Sequence, residues 1–484
     1  MSSFIYKSAI ELAQLIRNGE ATSVQIVQEH LAHIKKHNPL LNAIIILLEG
    51  EALKTAAECD EETTQGKSRG ALHGVPMTIK EQFWLKGTKS TLNNKMLKNW
   101  AATEDAVIVD RLKKAGAVII GKTNIPLNLL DYQVSGQIYS DGKNPFNPDH
   151  SPGGSSGGAA AAVASGMVPI ELGADFGGSV RVPSHYCGVY GMKPTENTVP
   201  LQGNIPKLKV DKGYIFNMMQ AGPLARTIED LELVWQTIKG DDESDRITPR
   251  IAWQDPSDKT LDNLKIAWVD GWQGYETSEQ TRITINLFIQ HLIEHGGKAF
   301  KKAPENNLHE RSLSLYVRLF PQVISHGLPW YLRLVLKWQI KLTMMKGMNK
   351  FRSEYNHGFS SSLKTYSETM GIRAEIISEW EQFFKQYDLL ICPMSYGPAF
   401  KRCKMGTPIT YNGKTLIYLN YVWPYVACFN ATGLPALNIP LGIGKEGLPL
   451  GIQVVGPYWS EPLLLHFAKL VSGFTAGFVK PMGY

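Results

Sequence analysis

Between Gly153 and Arg181 the chain reads loop, helix, strand, loop and helix start, and this order constrains the fold more than any other stretch. Gly153-Gly154-Ser155-Ser156-Gly157-Gly158 leads into the alanine-rich run Ala159 to Ser165, a helix closed by Gly166. Met167 to Leu172 reads as a short strand, which delivers Asp175-Phe176-Gly177-Gly178-Ser179-Val180-Arg181 to the start of the next helix. Helices alternating with short apolar strands argue for an α/β domain. Ser155 and Ser179 both fall at helix N-termini, where free N–H groups and the helix dipole favour negative charge. Glycine lets the backbone approach a reacting atom and aim several N–H groups at it.

The same grammar recurs outside this stretch. Ser8 with Glu11 and Thr22 with Gln25 form capping boxes, so the first 60 residues read as helices. Val24, Val27, Leu31 and Ile34 mark one apolar stripe, which Asn38-Pro39 ends. Asp105 to Lys114 is a further helix that stops at Gly116, and Ala117 to Ile120 is a buried strand. Asn430 to Pro440 and Gly447 to Pro457 give two more strands with tight turns. No linker divides the chain, which argues for one catalytic domain with an N-terminal helical arm.

Composition excludes several classes. At 43% hydrophobic and 19% charged residues the chain can bury a large core. A net charge of +6 is too mild to single out nucleic acid as a partner. The five cysteines (Cys59, Cys187, Cys392, Cys403 and Cys428) are odd in number and widely spaced, so neither a zinc knuckle nor a disulfide framework is expected. A reducing, cytoplasmic setting fits that usage. Met1 to Lys7 has no apolar core of a signal peptide, and no run of about 18 apolar residues would span a membrane.

A third motif lies upstream, with Lys80 in Gly74-Val75-Pro76-Met77-Thr78-Ile79-Lys80. A neutral serine is a weak nucleophile and needs a base, and lysine serves once burial among apolar neighbours lowers its pKa towards about 7–8. These three motifs, with Gly188 to Thr195 behind them, resemble the amidase signature family. The resemblance implies a large mixed central sheet covered by helices on both faces. It implies Ser179 as nucleophile, Ser155 as bridging serine in a cis peptide after Gly154, and Lys80 as base. The N–H groups of Phe176, Gly177, Gly178 and Ser179 would form the oxyanion hole, with no cofactor or metal. Gly154, Ser156, Asp175 and Arg181 support the loops, the last two as a charge pair or backbone clamp rather than in proton transfer.

The resemblance spans about residues 8–240 and 385–460. Glu81 stands where many family members carry Asp, and Lys80 to Thr91 looks closer to animal fatty-acid amide hydrolases. Asn217 to Pro223 replaces the Ser-Leu-Asp-Gln run typical of the amidase subunit of tRNA-dependent amidotransferases. Amide hydrolysis is therefore the leading reading, with apolar acyl groups favoured. A glutamine-hydrolysing amidotransferase subunit is the runner-up, and a noncatalytic binding protein on the same scaffold is a third reading that the intact triad opposes.

Four other patterns compete and lose. Gly116 to Thr123 matches a phosphate-loop signature, but its middle residues read as a strand. Gly153 to Gly157 matches a nucleophile elbow, yet no strand precedes it. His185 is the nearest histidine base for Ser179 in sequence. His30, His33 and His37 share metal-ligand spacing on one helix, although a solvated face is the commoner use.

The last informative segment is basic and hydrophobic. Residues 311–353 carry eight Lys or Arg and no Asp or Glu. Arg333, Lys337 and Lys341 form one stripe on a helix rich in Leu, Trp and Tyr. A helical insert over 300–380, within a catalytic domain of 61–484 that follows the arm of 1–60, has three readings. It caps the substrate channel, touches a membrane through 328–346 as a peripheral contact, or forms a homodimer face. The first two both imply apolar, lipid-like amides.

Overall fold

The computed structural model describes residues 3–206, 218–241, 247–343, 345–360 and 362–484. Met1 and Asn217, which bound two of the sequence segments, lie outside them. Thirteen strands occur among the described residues: β1 (Ile44–Leu47), β2 (Pro76–Lys80), β3 (Val118–Thr123), β4 (Ile170–Asp175), β5 (Tyr190–Lys193), β6 (Gln220–Ala225), β7 (Lys265–Trp268), β8 (Lys298–Lys301), β9 (Leu389–Cys392), β10 (Ile409–Tyr411), β11 (Lys414–Leu416), β12 (Ala436–Ile443) and β13 (Pro449–Val455). Eleven of them form one mixed sheet in the order β1-β3-β2-β4-β6-β5-β12-β13-β9-β7-β8, while β10 and β11 make a separate hairpin. β3, β2 and β4 run parallel, as do β9, β7 and β8, and the strands between them are antiparallel.

Alternation along each strand sorts side chains between the two faces. Met77 and Ile79 of β2 join Ile170, Leu172 and Ala174 of β4 in one core. Helices Ala9–Arg17, Val107–Lys114, Ile228–Ile238, Glu279–Glu294 and Glu461–Ser472 cover that face. Thr78 and Lys80, with Glu171, Gly173 and Asp175, therefore point to the other face. There helix Gly157–Ala164 lies between the sheet and helix Ser23–Leu41. Gly157–Ala164 has no side chain larger than valine and is buried throughout, so it sits close to the sheet. A Cβ added at Gly158 would overlap the backbone of Asn124 and Ala43.

The N-terminal arm does not stand apart from the sheet. Both capping boxes are present, at Ser8/Glu11 and Thr22/Gln25. Pro39 does not end the second helix, which runs to Leu41 and stops at Asn42 with φ of 48°. Pro39 sits in the last turn, where its missing N–H removes a single helical bond. Residues 44–47, inside the stretch read as helical, form the edge strand β1 paired with β3. Four consecutive apolar residues flanked by an αL asparagine suit a strand better than another turn of helix.

The insert is helical as expected: Leu308–Ser325, Trp330–Leu342, Arg352–Gly358 and Leu363–Phe384. Its first helix is heavily buried and packs on helix Trp423–Ala431. The last is tied to the loop after β5 by a buried ion pair, Arg373 to Glu196 at 2.7 Å. Trp330–Leu342 differs, burying only Ile340 fully. Among the described residues no helix is long and apolar enough to cross a membrane.

The close seat of helix Gly157–Ala164 makes a direct prediction. Gly158→Ala is expected to cost about 3 kcal/mol through overpacking against backbone that cannot rotate away. Urea unfolding of the variant, with an unchanged m-value, measures it.

Candidate active site

Lys80 ends β2 with its side chain fully enclosed. Its Nζ donates to Ser155 Oγ at 2.8 Å and to the Ala174 carbonyl at 3.1 Å. Burial lowers the Lys80 pKa to about 7, against the pull of the nearby Asp175 and Glu171 carboxyls, which raise it. The lysine can therefore lose its proton near neutrality and accept one from a serine. The Gly154–Ser155 peptide is cis.

Two bonds join the serine loops. The Ser156 N–H donates to the Ser179 carbonyl at 3.1 Å, and Ser156 Oγ donates to the Ala174 carbonyl at 3.3 Å. Gly154 has no room for a side chain, because a Cβ there would overlap the Asp131 carbonyl and the Tyr132 backbone. The Ser155 loop is thus pressed between residues 131–132 and the segment carrying Ser179.

The Ser179 loop is held from below by Asp175 and Arg181, both fully buried. Asp175 accepts from the backbone N–H groups of Gly178, Val180 and Arg181, and its carboxylate pairs with the Arg181 guanidinium at 3.0 Å. Burial alone would raise the Asp175 pKa; the Arg181 charge and hydrogen bonds, with Asn430, overcome it and hold the group below the usual carboxylate range. Arg181 also donates to Gln453 Oε1 at 2.6 Å, to Asn430 Oδ1 at 2.6 Å and to the Val426 carbonyl at 3.3 Å.

One expectation is corrected here. Gly178 does not share the role expected for Phe176, Gly177 and Ser179, since its N–H donates to Asp175 Oδ1 at 2.8 Å. Its φ of 98° turns the N–H under the loop, towards the carboxylate, which makes Gly178 part of the loop support.

The walls come from distant segments. Tyr132 Oη donates to the Gly177 carbonyl at 2.6 Å. Phe176 meets Tyr316 and Phe320 of the insert, with ring centroids at 6.1 and 5.8 Å, and both of those rings pack edge-on against Trp423. Sequence reasoning missed this aromatic group and the Asn430–Gln453 anchor. It also missed Glu171, hidden inside a segment read simply as a strand.

The competing patterns fall elsewhere. Lys122 and Thr123 of the phosphate-loop match lie within β3, and Lys122 donates to the Lys89 carbonyl at 2.6 Å and to Ser90 Oγ at 2.7 Å. His30 and His33 bond the carbonyls of Met167 and Ser165 at 3.1 and 2.8 Å, while the His37 ring packs on Tyr484. His185 is buried, its pKa lowered to about 4 by burial, and it has no hydrogen bond to Ser179 among the described residues. All five cysteines are free thiols.

Comparison with known proteins agrees with this geometry. The Amidase family model matches residues 25–465. The chain is 30% identical over 480 residues to the glutamyl-tRNA(Gln) amidotransferase A-type polypeptide of Lachnospira eligens, covering 95% of this chain and 96% of the relative. It is 31% identical over 485 residues to the corresponding polypeptide of Methylococcus capsulatus, covering 96% of each. A bacterial aryl acylamidase of the amidase signature enzymes superposes with a TM-score of 0.81 at 23% identity, over 100% of both chains.

The clamp predicts a stability effect. Asp175→Asn leaves the Arg181 guanidinium buried without its counter-charge, and a loss of about 3–5 kcal/mol is expected. Chemical denaturation measures it. A loss below about 1 kcal/mol would show that Asn430 and Gln453 alone satisfy the arginine.

Proposed function

Because this chain belongs to the amidase family, hydrolases of amide C–N bonds, we propose that it hydrolyses small carboxylic amides with apolar acyl groups through an acyl-enzyme on Ser179. The observation that carries the reading is the 2.8 Å bond from a buried lysine to Ser155, in a loop tied to the Ser179 backbone. Neutral Lys80 takes a proton through Ser155, and Ser179 Oγ attacks the amide carbonyl. The N–H groups of Phe176, Gly177 and Ser179 receive the developing oxyanion, each contributing roughly 3–4 kcal/mol. The relay then hands its proton to the leaving nitrogen. Water releases the acid by the same path.

The apolar acyl preference rests on Phe176, Tyr316, Phe320 and Trp423, which line the approach to the nucleophile with rings. The second reading is a glutamine-hydrolysing subunit that passes ammonia to partner chains, and the names of the 30–31% identical relatives favour it. A third element concerns the insert. Helix Trp330–Leu342 leaves Trp330 73% and Trp338 67% exposed, beside Leu334, Val335 and the stripe Arg333, Lys337 and Lys341. Interfacial aromatics with positive charge suit an anionic lipid surface, from which lipid-like amides would reach the enzyme.

Hydrolysis of p-nitroanilides of increasing acyl length tests the main reading. Turnover is expected to grow with chain length and to fall at least about 10³-fold in Ser179→Ala. Silence on every anilide, with glutamine cleaved once partner chains are added, would transfer the assignment to the amidotransferase reading. Sedimentation with anionic liposomes is expected for the wild type and reduced in Lys337→Glu/Lys341→Glu. A protein that stays in the supernatant overturns the lipid contact.

A further inference from the structure

Glu171 is a fully buried carboxyl to which the Lys80–Ser155–Ser179 relay gives no role. It sits in β4, four residues before Asp175. Thr78 Oγ1 donates to its Oε2, and Thr123 Oγ1 donates to its Oε1 at 2.8 Å. The three side chains come from three neighbouring strands, β4, β2 and β3. Thr78 lies two residues before Lys80, so strand alternation places the base on the same face. A bulge in β3 completes the arrangement. Pairing steps from Met77↔Ile119 to Thr78↔Gly121, which turns Thr123 towards Glu171 and Lys122 to the opposite face.

We propose that Glu171 is a positioning residue of the relay: held by Thr78 and Thr123 on the face that carries the base, it sets the pH at which Lys80 gives up its proton. The proposal rests on the amidase reading.

The surroundings leave Lys80 as the charge that acts on Glu171. Helix Gly157–Ala164 has no titratable residue, and the register partner of Glu171 in β6 is Leu224. Asp175 on the same strand is matched by Arg181. Lys122 of β3 faces Ser90 and Lys89 on the far side, and His30 of helix Ser23–Leu41 faces the Met167 carbonyl. Burial raises the Glu171 pKa to about 8, against bonds from both threonines and the Lys80 charge. Burial lowers that of Lys80 to about 7.

One proton distinguishes two forms of the pair at the same total charge. With the proton on Glu171 both groups are neutral, and the Lys80 lone pair is free to act. With the proton on Lys80 the groups form an ion pair, and the lysine is idle. A carboxylate at position 171 therefore holds the ammonium form of Lys80 to higher pH. Removing the ionisable carboxyl has the opposite sign: Lys80 becomes neutral at lower pH.

The pH dependence of Ser179 labelling by a fluorophosphonate reads this directly and needs no knowledge of the substrate. The position of the acid limb is the readout, not its height. In Glu171→Gln the limb is expected to move to lower pH by roughly one unit, the size of a charge–charge term across a partly screened interior. Glu171→Asp, which keeps an ionisable carboxyl, is expected to return it towards the wild-type position. If Glu171→Gln does not fold, Thr123→Val removes one donor to the carboxylate and shifts the limb in the same direction by less. A limb that stays in place in the folded variant overturns the proposal and leaves Glu171 as a structural tie between three strands. Wild-type protein that never labels overturns the amidase reading, and this proposal with it.

Discussion

The ion pair between Asp175 and Arg181 is the interaction on which the site depends. Neither group reaches solvent, so each is tolerable only because the other is there and because their remaining hydrogen bonds are made. Those bonds radiate into the loop itself, through Gly178 and Val180, and into segments some 250 residues away, through Asn430, Gln453 and Val426. The loop that carries Ser179 is thereby fixed to β13 and to helix Trp423–Ala431 rather than to its sequence neighbours alone. Preorganised donors stabilise charge well only if they need not move when it appears, and a buried clamp supplies that rigidity.

The sheet does the complementary work of separating charges. Lys80, Glu171 and Asp175 share one face, while Glu81 and Lys122 occupy the other. Glu81 accepts from Thr91 Oγ1 and the Leu92 N–H, and Lys122 binds the same connecting loop. Two adjacent residues at the end of β2, Lys80 and Glu81, thus belong to different networks because alternate side chains leave a strand in opposite directions. Had they shared a face, an ion pair would have held the base in its charged form.

Much of the site was legible because its chemistry is written in local motifs. The glycine loops, the alanine-rich helix and the lysine at the end of its strand are contiguous in sequence and need only local rules. The helix starts at Ser8 and Thr22 followed from capping residues in the same way. What escaped reading depends on tertiary contact. Nothing near Tyr316 or Asn430 announces a partner at Phe176 or Asp175. The donor role expected of Gly178 ignored a carboxylate three residues upstream that competes for the same N–H. The bulge at Ile120, which decides where Lys122 and Thr123 point, has no signature in a run of Val and Ile. Pro39 misled because a proline in a last helical turn costs little.

The aromatic wall at Phe176 has a further consequence. Tyr316 and Phe320 belong to the insert, whereas every group in the proton path belongs to the sheet and the loops beside it. The parts that choose a substrate and the parts that break its bond are carried by different stretches of chain. Only Phe176, at the seam, answers to both. A lineage could exchange one side of the helix Leu308–Ser325 for other shapes and acquire a new diet while the reactive centre stayed untouched.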